Sequence, residues 1–184
     1  IMENIKSFQS QKVIKFLTII FLGSILLTAS AKFKIPFYPV PMTMQTFVVL
    51  FFGLAFGYKI GLSIVGLYLI EGILGLPVFS NSPERGVGLI YFTGPTMGYL
   101  IGFLFAVFLS GYLDLKKNIF IIFFKLLLSV SVIYILGLIW LGILIGWDKP
   151  ILELGAIPFL PAELLKILIL TLLTKKIIKL RSFI

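Results

Sequence analysis

Apolar runs of bilayer length set the first constraint on this chain. From about Ile14 to Ser30, and again from about Ile119 to Ile145, polar residues are few. A hydrocarbon core about 30 Å thick needs about 20 such residues per crossing helix. Only 12% of the residues are charged and 60% are hydrophobic, against about 25% and 45–50% in a soluble domain. Too little charge remains to coat a water-facing surface. Lipid also offers backbone groups no partners, so the runs must be helices that bond internally. The chain is read as an all-α integral membrane protein, one membrane domain over residues 1–184.

Hydropathy predicts six transmembrane helices, at about 14–30, 44–56, 60–74, 96–113, 119–145 and 161–173. The first follows a basic stretch and ends near Thr28-Ala29-Ser30-Ala31, a weak imitation of a signal-peptide cleavage site. Because further spans follow, a retained helix is favoured. Two connections are short: Gly57-Tyr58-Lys59 and Asp114-Leu115-Lys116-Lys117-Asn118. Three are long and rich in Pro and Gly: 32–43, 75–95 and 146–161. An even span count puts both termini and the short loops on one side. The net charge of +9 concentrates there, on Lys6, Lys12, Lys15, Lys59, Lys116, Lys117, Lys175, Lys176, Lys179 and Arg181. Only Lys32, Lys34, Arg85 and Lys149 fall clearly in the long loops. Cytoplasmic loops carry the Lys/Arg excess. Flanking lysines therefore account for the charge better than nucleic acid does. Both termini are expected in the cytoplasm of a bacterium, with the long loops facing outward.

The chain contains no Cys and no His. Thiol nucleophiles, Cys/His zinc sites and imidazole bases are thereby excluded. The acids are Glu3, Glu71, Glu84, Asp114, Asp148, Glu153 and Glu163. A membrane enzyme would need a convergent acid/base or metal constellation, and only Glu163 is placed convincingly at a cavity. No enzyme activity and no cofactor are expected. No Gly-x-x-x-x-Gly-Lys-Ser/Thr sequence is present for ATP either.

Each long loop carries candidate ligand contacts. In the first, Pro36, Pro39 and Pro41 deny the backbone helical hydrogen bonds, and Thr43, Gln45 and Thr46 follow into the second span. Thr43 reads also as an ordinary helix cap. Gln45 is balanced between helix and ligand contact. The second loop holds Phe79, Ser80, Asn81, Tyr91 and Tyr99, around a Glu84-Arg85 pair that reads as a solvated tip. Tyr91 and Tyr99 also fit an interfacial aromatic belt. In the third, Pro161 suits the first turn of a helix. Glu163 and Lys166, three residues apart, then share its face. Ionisable residues inside a membrane are costly and are functional candidates by default. Glu71 reads as structural, snorkelling outward or pairing with a loop lysine. Gly23, Ser24 and Thr28 form a small-residue face suited to close helix approach, either internally or with a partner subunit.

These segments together resemble the BioY family, the biotin-specific substrate-binding (S) components of energy-coupling factor (ECF) vitamin transporters. The matching stretches are Pro39-Val40-Pro41-Met42-Thr43-Met44-Gln45-Thr46, Gly75-Leu76-Pro77-Val78-Phe79, Ser82-Pro83-Glu84-Arg85-Gly86, Gly94-Pro95-Thr96-Met97-Gly98-Tyr99 and Pro161-Ala162-Glu163-Leu164-Leu165-Lys166. The resemblance spans about residues 14–173. It implies a six-helix bundle with biotin held under the outer loops. It puts the family's Asp-x-x-Lys pair on Glu163 and Lys166, and a possible Asn ligand on Asn81. Glu163 replaces an Asp and lengthens that arm by one methylene, and Met97 stands where Gly is usual. The implied partners are a transmembrane coupling subunit and two ATPases. Biotin's ureido N–H groups suit a carboxylate, its valerate suits a cation, and its apolar bicycle suits Phe and Tyr. The alternatives are an S component for another vitamin and a ligand-free membrane assembly subunit.

Overall fold

The computed structural model describes residues 2–112 and 118–183, with side chains over 11–112 and 118–181. The expected turn residues Asp114 to Lys117 lie outside the described residues. The helices are α1 (Met2–Lys32), α2 (Gln45–Ile73), α3 (Met97–Tyr112), α4 (Ile119–Ile145), α5 (Ile151–Gly155) and α6 (Leu160–Ile177). Four stretches are long and apolar enough to cross a membrane: Gln11–Lys32, Gln45–Ile73, Ile119–Ile145 and Ile151–Arg181. Met97–Tyr112 is apolar but shorter.

The 29 residues of α2 do not form one rod. Gly57 has φ 78° and ψ 172°, a left-handed-side conformation that glycine adopts without strain. The chain reverses there. On one straight helix Gln45 and Tyr68 would stand roughly 34 Å apart at about 1.5 Å per residue, yet their side chains bond at 2.8 Å. A Cβ on Gly61 would likewise lie 3.6 Å from the Gly53 nitrogen. Residues 45–56 and 58–73 are therefore two antiparallel arms, joined at the Gly57-Tyr58-Lys59 turn expected from sequence.

Around this hairpin, α1, α3 and α6 pack on α2, and α4 closes on α3 and α6. Polarity runs opposite to that of a soluble domain. Phe21, Leu22, Phe105, Phe124 and Leu172 are exposed, while Ser24, Gln45, Thr46, Glu163, Lys166 and Thr174 are buried. Lipid accepts the first set, and internal partners must satisfy the second.

The small-residue face of α1 turns inward. A Cβ on Gly23 would stand 2.7 Å from the Ile64 side chain, and Ser24 is fully buried. The Ser24 hydroxyl donates to Glu71 Oε1 at 2.8 Å. This contact replaces both the partner docking considered for that face and the loop lysine considered for Glu71. A short Ser and a Gly leave room for the second arm of α2, and the nearest acceptor is the Glu71 carboxylate.

At the end that holds Gly57 and the C-terminus, Arg181 donates to Leu54 O at 2.9 Å, Gly53 O at 3.0 Å and Gly111 O at 3.2 Å. These carbonyls end the first arm of α2 and α3. Final helix carbonyls lack intrahelical partners, and a cation suits them.

The opposite end is built from the long loops. The proline-rich loop is not wholly irregular: β1 (Lys34–Ile35) and β2 (Met42–Thr43) pair antiparallel, Lys34 opposite Thr43. Pro36, Pro39 and Pro41 fall between the strands, where no ladder donor is lost. Lys32 donates to Phe79 O at 2.8 Å and Ser82 O at 2.9 Å. Lys34 donates to Ser80 O at 2.8 Å. Arg85 is no free loop tip. It donates to Pro39 O at 2.8 Å, and its guanidinium stands 5.4 Å from the Tyr38 ring centroid. Cations of one loop thus satisfy carbonyls of the next. The third loop folds into α5 and a 3₁₀ turn, Ile157–Phe159, that leads directly into α6.

Candidate functional site

The site lies where three chain segments converge beneath these loops. Pro161 occupies the first turn of α6 as expected, which sets Glu163 and Lys166 one turn inside the bundle. Both are buried, with 4% and 6% of their surface exposed. They form an ion pair of 2.8 Å. The start of α2 faces them. Lys166 Nζ donates to the Thr43 carbonyl at 2.7 Å, to Thr46 Oγ1 at 3.0 Å and to Glu163 Oε1 at 2.8 Å. The Thr46 hydroxyl in turn donates a hydrogen bond to Glu163 Oε1 at 2.9 Å. An ammonium has three donors, and here all three are used. Glu163 Oε2 is the one buried side-chain polar atom without a hydrogen-bond partner among the described residues.

Glu163 lines a narrow cavity of about 50 Å³. Around it stand Thr43, Gln45, Thr46, Tyr91, Tyr99, Tyr134 and Phe159. Gln45 donates through Nε2 to Tyr68 at 2.8 Å and accepts from Thr43 Oγ1 at 3.2 Å. Tyr91 meets Ser80 Oγ at 3.3 Å, and Tyr99 donates to the Gly155 carbonyl at 2.8 Å. Aromatic faces and a few fixed polar groups are the usual lining of a small-molecule site. An open carboxylate oxygen in such a wall accepts N–H or O–H groups.

Of the eight candidate residues, five line this cavity: Thr43, Gln45, Tyr91, Tyr99 and Glu163. Three do not. Lys166 stands behind Glu163 and faces an apolar groove between the β-hairpin and α6. Phe79 lies behind Tyr91, the rings stacked at 4.5 Å. Asn81 sits on the loop above, where its side-chain oxygen accepts from Lys34 at 3.0 Å. Sequence reasoning named Thr46 beside Thr43 and Gln45 without assigning it a role in the site, and gave none to Tyr68, Tyr134 or Phe159. Thr46 was detectable by its i,i+3 spacing from Thr43. Tyr68 and Tyr134 are single hydroxyls inside apolar runs, a pattern that a lipid-headgroup contact gives equally. Phe159, a loop aromatic among many, carried no such signal.

Comparison with known proteins bears on this geometry. Residues 3–183 match the model of the BioY family. A probable biotin transporter BioY of Pyrococcus horikoshii is 34% identical over 77% of this chain and 82% of its own. The biotin transporter BioY of Thermotoga maritima is 33% identical over 84% of this chain and 90% of its own. Among solved structures, the S-component for biotin from an ECF-type ABC transporter superposes with a TM-score of 0.76. It is 26% identical and covers 92% of this chain and 93% of that one.

Proposed function

This chain belongs to the BioY family, and we propose that it is the biotin-binding S component of an ECF-type vitamin transporter. The similar proteins are named transporters, not enzymes. The observation that carries the reading is the Glu163 carboxylate. One oxygen is saturated by Lys166 and Thr46, the other is buried without a hydrogen-bond partner, and the residue lines an aromatic-walled cavity. Biotin's ureido ring offers N–H donors to such an oxygen, and its bicycle offers an apolar body to Tyr91, Tyr99, Tyr134 and Phe159.

In this reading Glu163, Gln45 and Thr43 contact the ligand, with Tyr91 and Tyr99 as walls. Lys166 holds Glu163 in place through their 2.8 Å contact. Phe79 supports Tyr91, and Asn81 belongs to the cover above. The outer loops lie over this narrow cavity, and in this reading biotin enters between them and they settle around it. The two arms of α2, with α1, α3, α4 and α6, make six spans in one membrane domain over 1–184, which is consistent with the single buried core. Both termini face the cytoplasm, since Lys59 and the lysines near the C-terminus share the Gly57 end of the molecule. A transmembrane coupling subunit and two ATPases supply the energy.

The test is calorimetric titration of the purified chain with biotin. Saturable one-site binding supports the assignment, and no heat at any biotin concentration removes it. Titration with other vitamins in parallel separates biotin from other ligands.

A further inference from the structure

The hydrogen-bonding sense of Gln45 is set from outside the cavity it lines. Its amide can present an oxygen or an NH₂ of nearly the same shape, and only its neighbours decide which. The decision is made on the other arm of α2. The Val78 carbonyl belongs to a buried residue of the second outer loop, and a carbonyl can only accept. The Tyr68 hydroxyl donates to it at 3.4 Å. A phenol has one proton. With that proton on Val78, the Tyr68 oxygen accepts, and its donor at 2.8 Å is Gln45 Nε2. The amide oxygen is thereby turned toward Thr43 Oγ1 at 3.2 Å, on the side where both residues line the cavity.

Tyr68 has no freedom to release this arrangement. It is fully buried, and its ring meets Phe79 edge-on at 5.3 Å. Phe79 in turn fills a notch that a Cβ on Gly72 would occupy.

Resting on the biotin reading above, we propose that Tyr68 is a specificity-determining positioning residue. It holds Gln45 as an acceptor toward the cavity, so that the site reads N–H groups on the ligand ring. In this reading a ligand in the cavity meets two residues with acceptor capacity, Gln45 through Oε1 and Glu163 through its unpartnered Oε2. A cyclic urea has two N–H groups to match them, and methylation of either nitrogen removes one. With Tyr68 unable to donate, the amide is free to turn, and the preference for unmethylated nitrogen weakens.

The experiment compares three ligands on the purified full-length chain: biotin, biotin methylated on a ureido nitrogen, and biotinamide, altered only at the tail. Tyr68→Phe should shrink the biotin to N-methylbiotin affinity ratio by about tenfold, one hydrogen bond's worth. The biotin to biotinamide ratio should stay as in the parent. Gln45→Met, of similar length but without an acceptor, should shrink the same ratio while leaving Tyr68 on Val78. It decides the matter if Tyr68→Phe does not fold. Equal loss for all three ligands in the folded variants would make Tyr68 merely structural, and an unchanged N-methyl ratio would overturn its role. A parent chain that binds neither biotin nor its analogues would instead overturn the biotin reading itself.

Discussion

Lys166 Nζ and the Thr43 carbonyl oxygen are 2.7 Å apart, although 123 residues separate them in the chain. This contact ties the base of the first outer loop to α6 and places the cation where it can hold Glu163. The Lys166 side chain closes a small network with no free donor, so nothing else in the site substitutes for it.

Removing either charge should therefore be severe. Stranding one partner of a buried ion pair costs about 3–5 kcal/mol, which is roughly 10²–10³-fold or more in affinity. Lys166→Ala and Glu163→Ala should each weaken biotin binding by at least that order. Lys166→Arg should rescue little, because a planar fork does not reproduce three bonds fanned from one nitrogen. Lys149 sits on an exposed loop beside Asp148 at 3.2 Å, so Lys149→Ala should leave affinity unchanged. Biotin titration of each variant, with thermal unfolding as a folding check, measures this. Parent-like affinity in both alanine variants would move the site elsewhere.

The contact between α1 and α2 makes a separate prediction about stability. Gly23 has no room for a side chain against Ile64, so Gly23→Leu should force the helices apart. Overpacking of this kind costs about 1–3 kcal/mol. Ser24→Ala should cost less, about 1 kcal/mol for its bond to Glu71. Thermal unfolding in detergent checks the order. Wild-type melting of Gly23→Leu would mean that α1 is not seated on α2 in the membrane.

The helices and the Glu163–Lys166 pair were legible in the sequence because each rests on local signals. Apolar length marks the spans, Pro161 marks a helix start, and i,i+3 spacing puts the two charges on one face. What was not legible depends on which segment meets which. Nothing local shows that Lys166 points to Thr43 and away from the cavity. Nor does it show that Arg85 reaches Pro39, or that Ser24 spends itself on Glu71. The inward turn of α1 was undecidable for the same reason, since a small-residue stripe fits an internal neighbour and an external one equally well. Tyr68 was missed because one hydroxyl in an apolar run looks the same whether it touches lipid headgroups or a buried amide.

The clasp between the outer loops predicts a kinetic effect. Arg85 holds the first loop to the second through the Pro39 carbonyl and the Tyr38 ring, and neither residue lines the cavity. If the loops must part for biotin, Arg85→Ala should raise both the association and the dissociation rate. The change should be several-fold, in line with one part-buried charged hydrogen bond and one cation–π contact worth about 1–2 kcal/mol together. Stopped-flow tryptophan fluorescence or surface-immobilised biotin exchange gives both rates. Unchanged rates would mean that entry does not pass between these loops.

The last prediction concerns orientation in the membrane. The chain has no Cys, so single introduced thiols report on a silent background. Position matters: Ser82 lies in the outer loop but is 3% exposed, and a thiol there would be shielded whichever way the protein faced. Glu84, two residues on, is exposed. At the opposite end Lys59 is exposed beside the Gly57 turn. Lysines cluster at that end, and the positive-inside rule puts them in the cytoplasm. In intact cells a membrane-impermeant thiol reagent should label Glu84→Cys and spare Lys59→Cys until the membrane is permeabilised. Both substitutions change one exposed charge and touch no buried contact, so insertion should be preserved. Labelling of Lys59→Cys in intact cells, with Glu84→Cys protected, would invert the topology and put the Glu163 cavity on the wrong side for uptake.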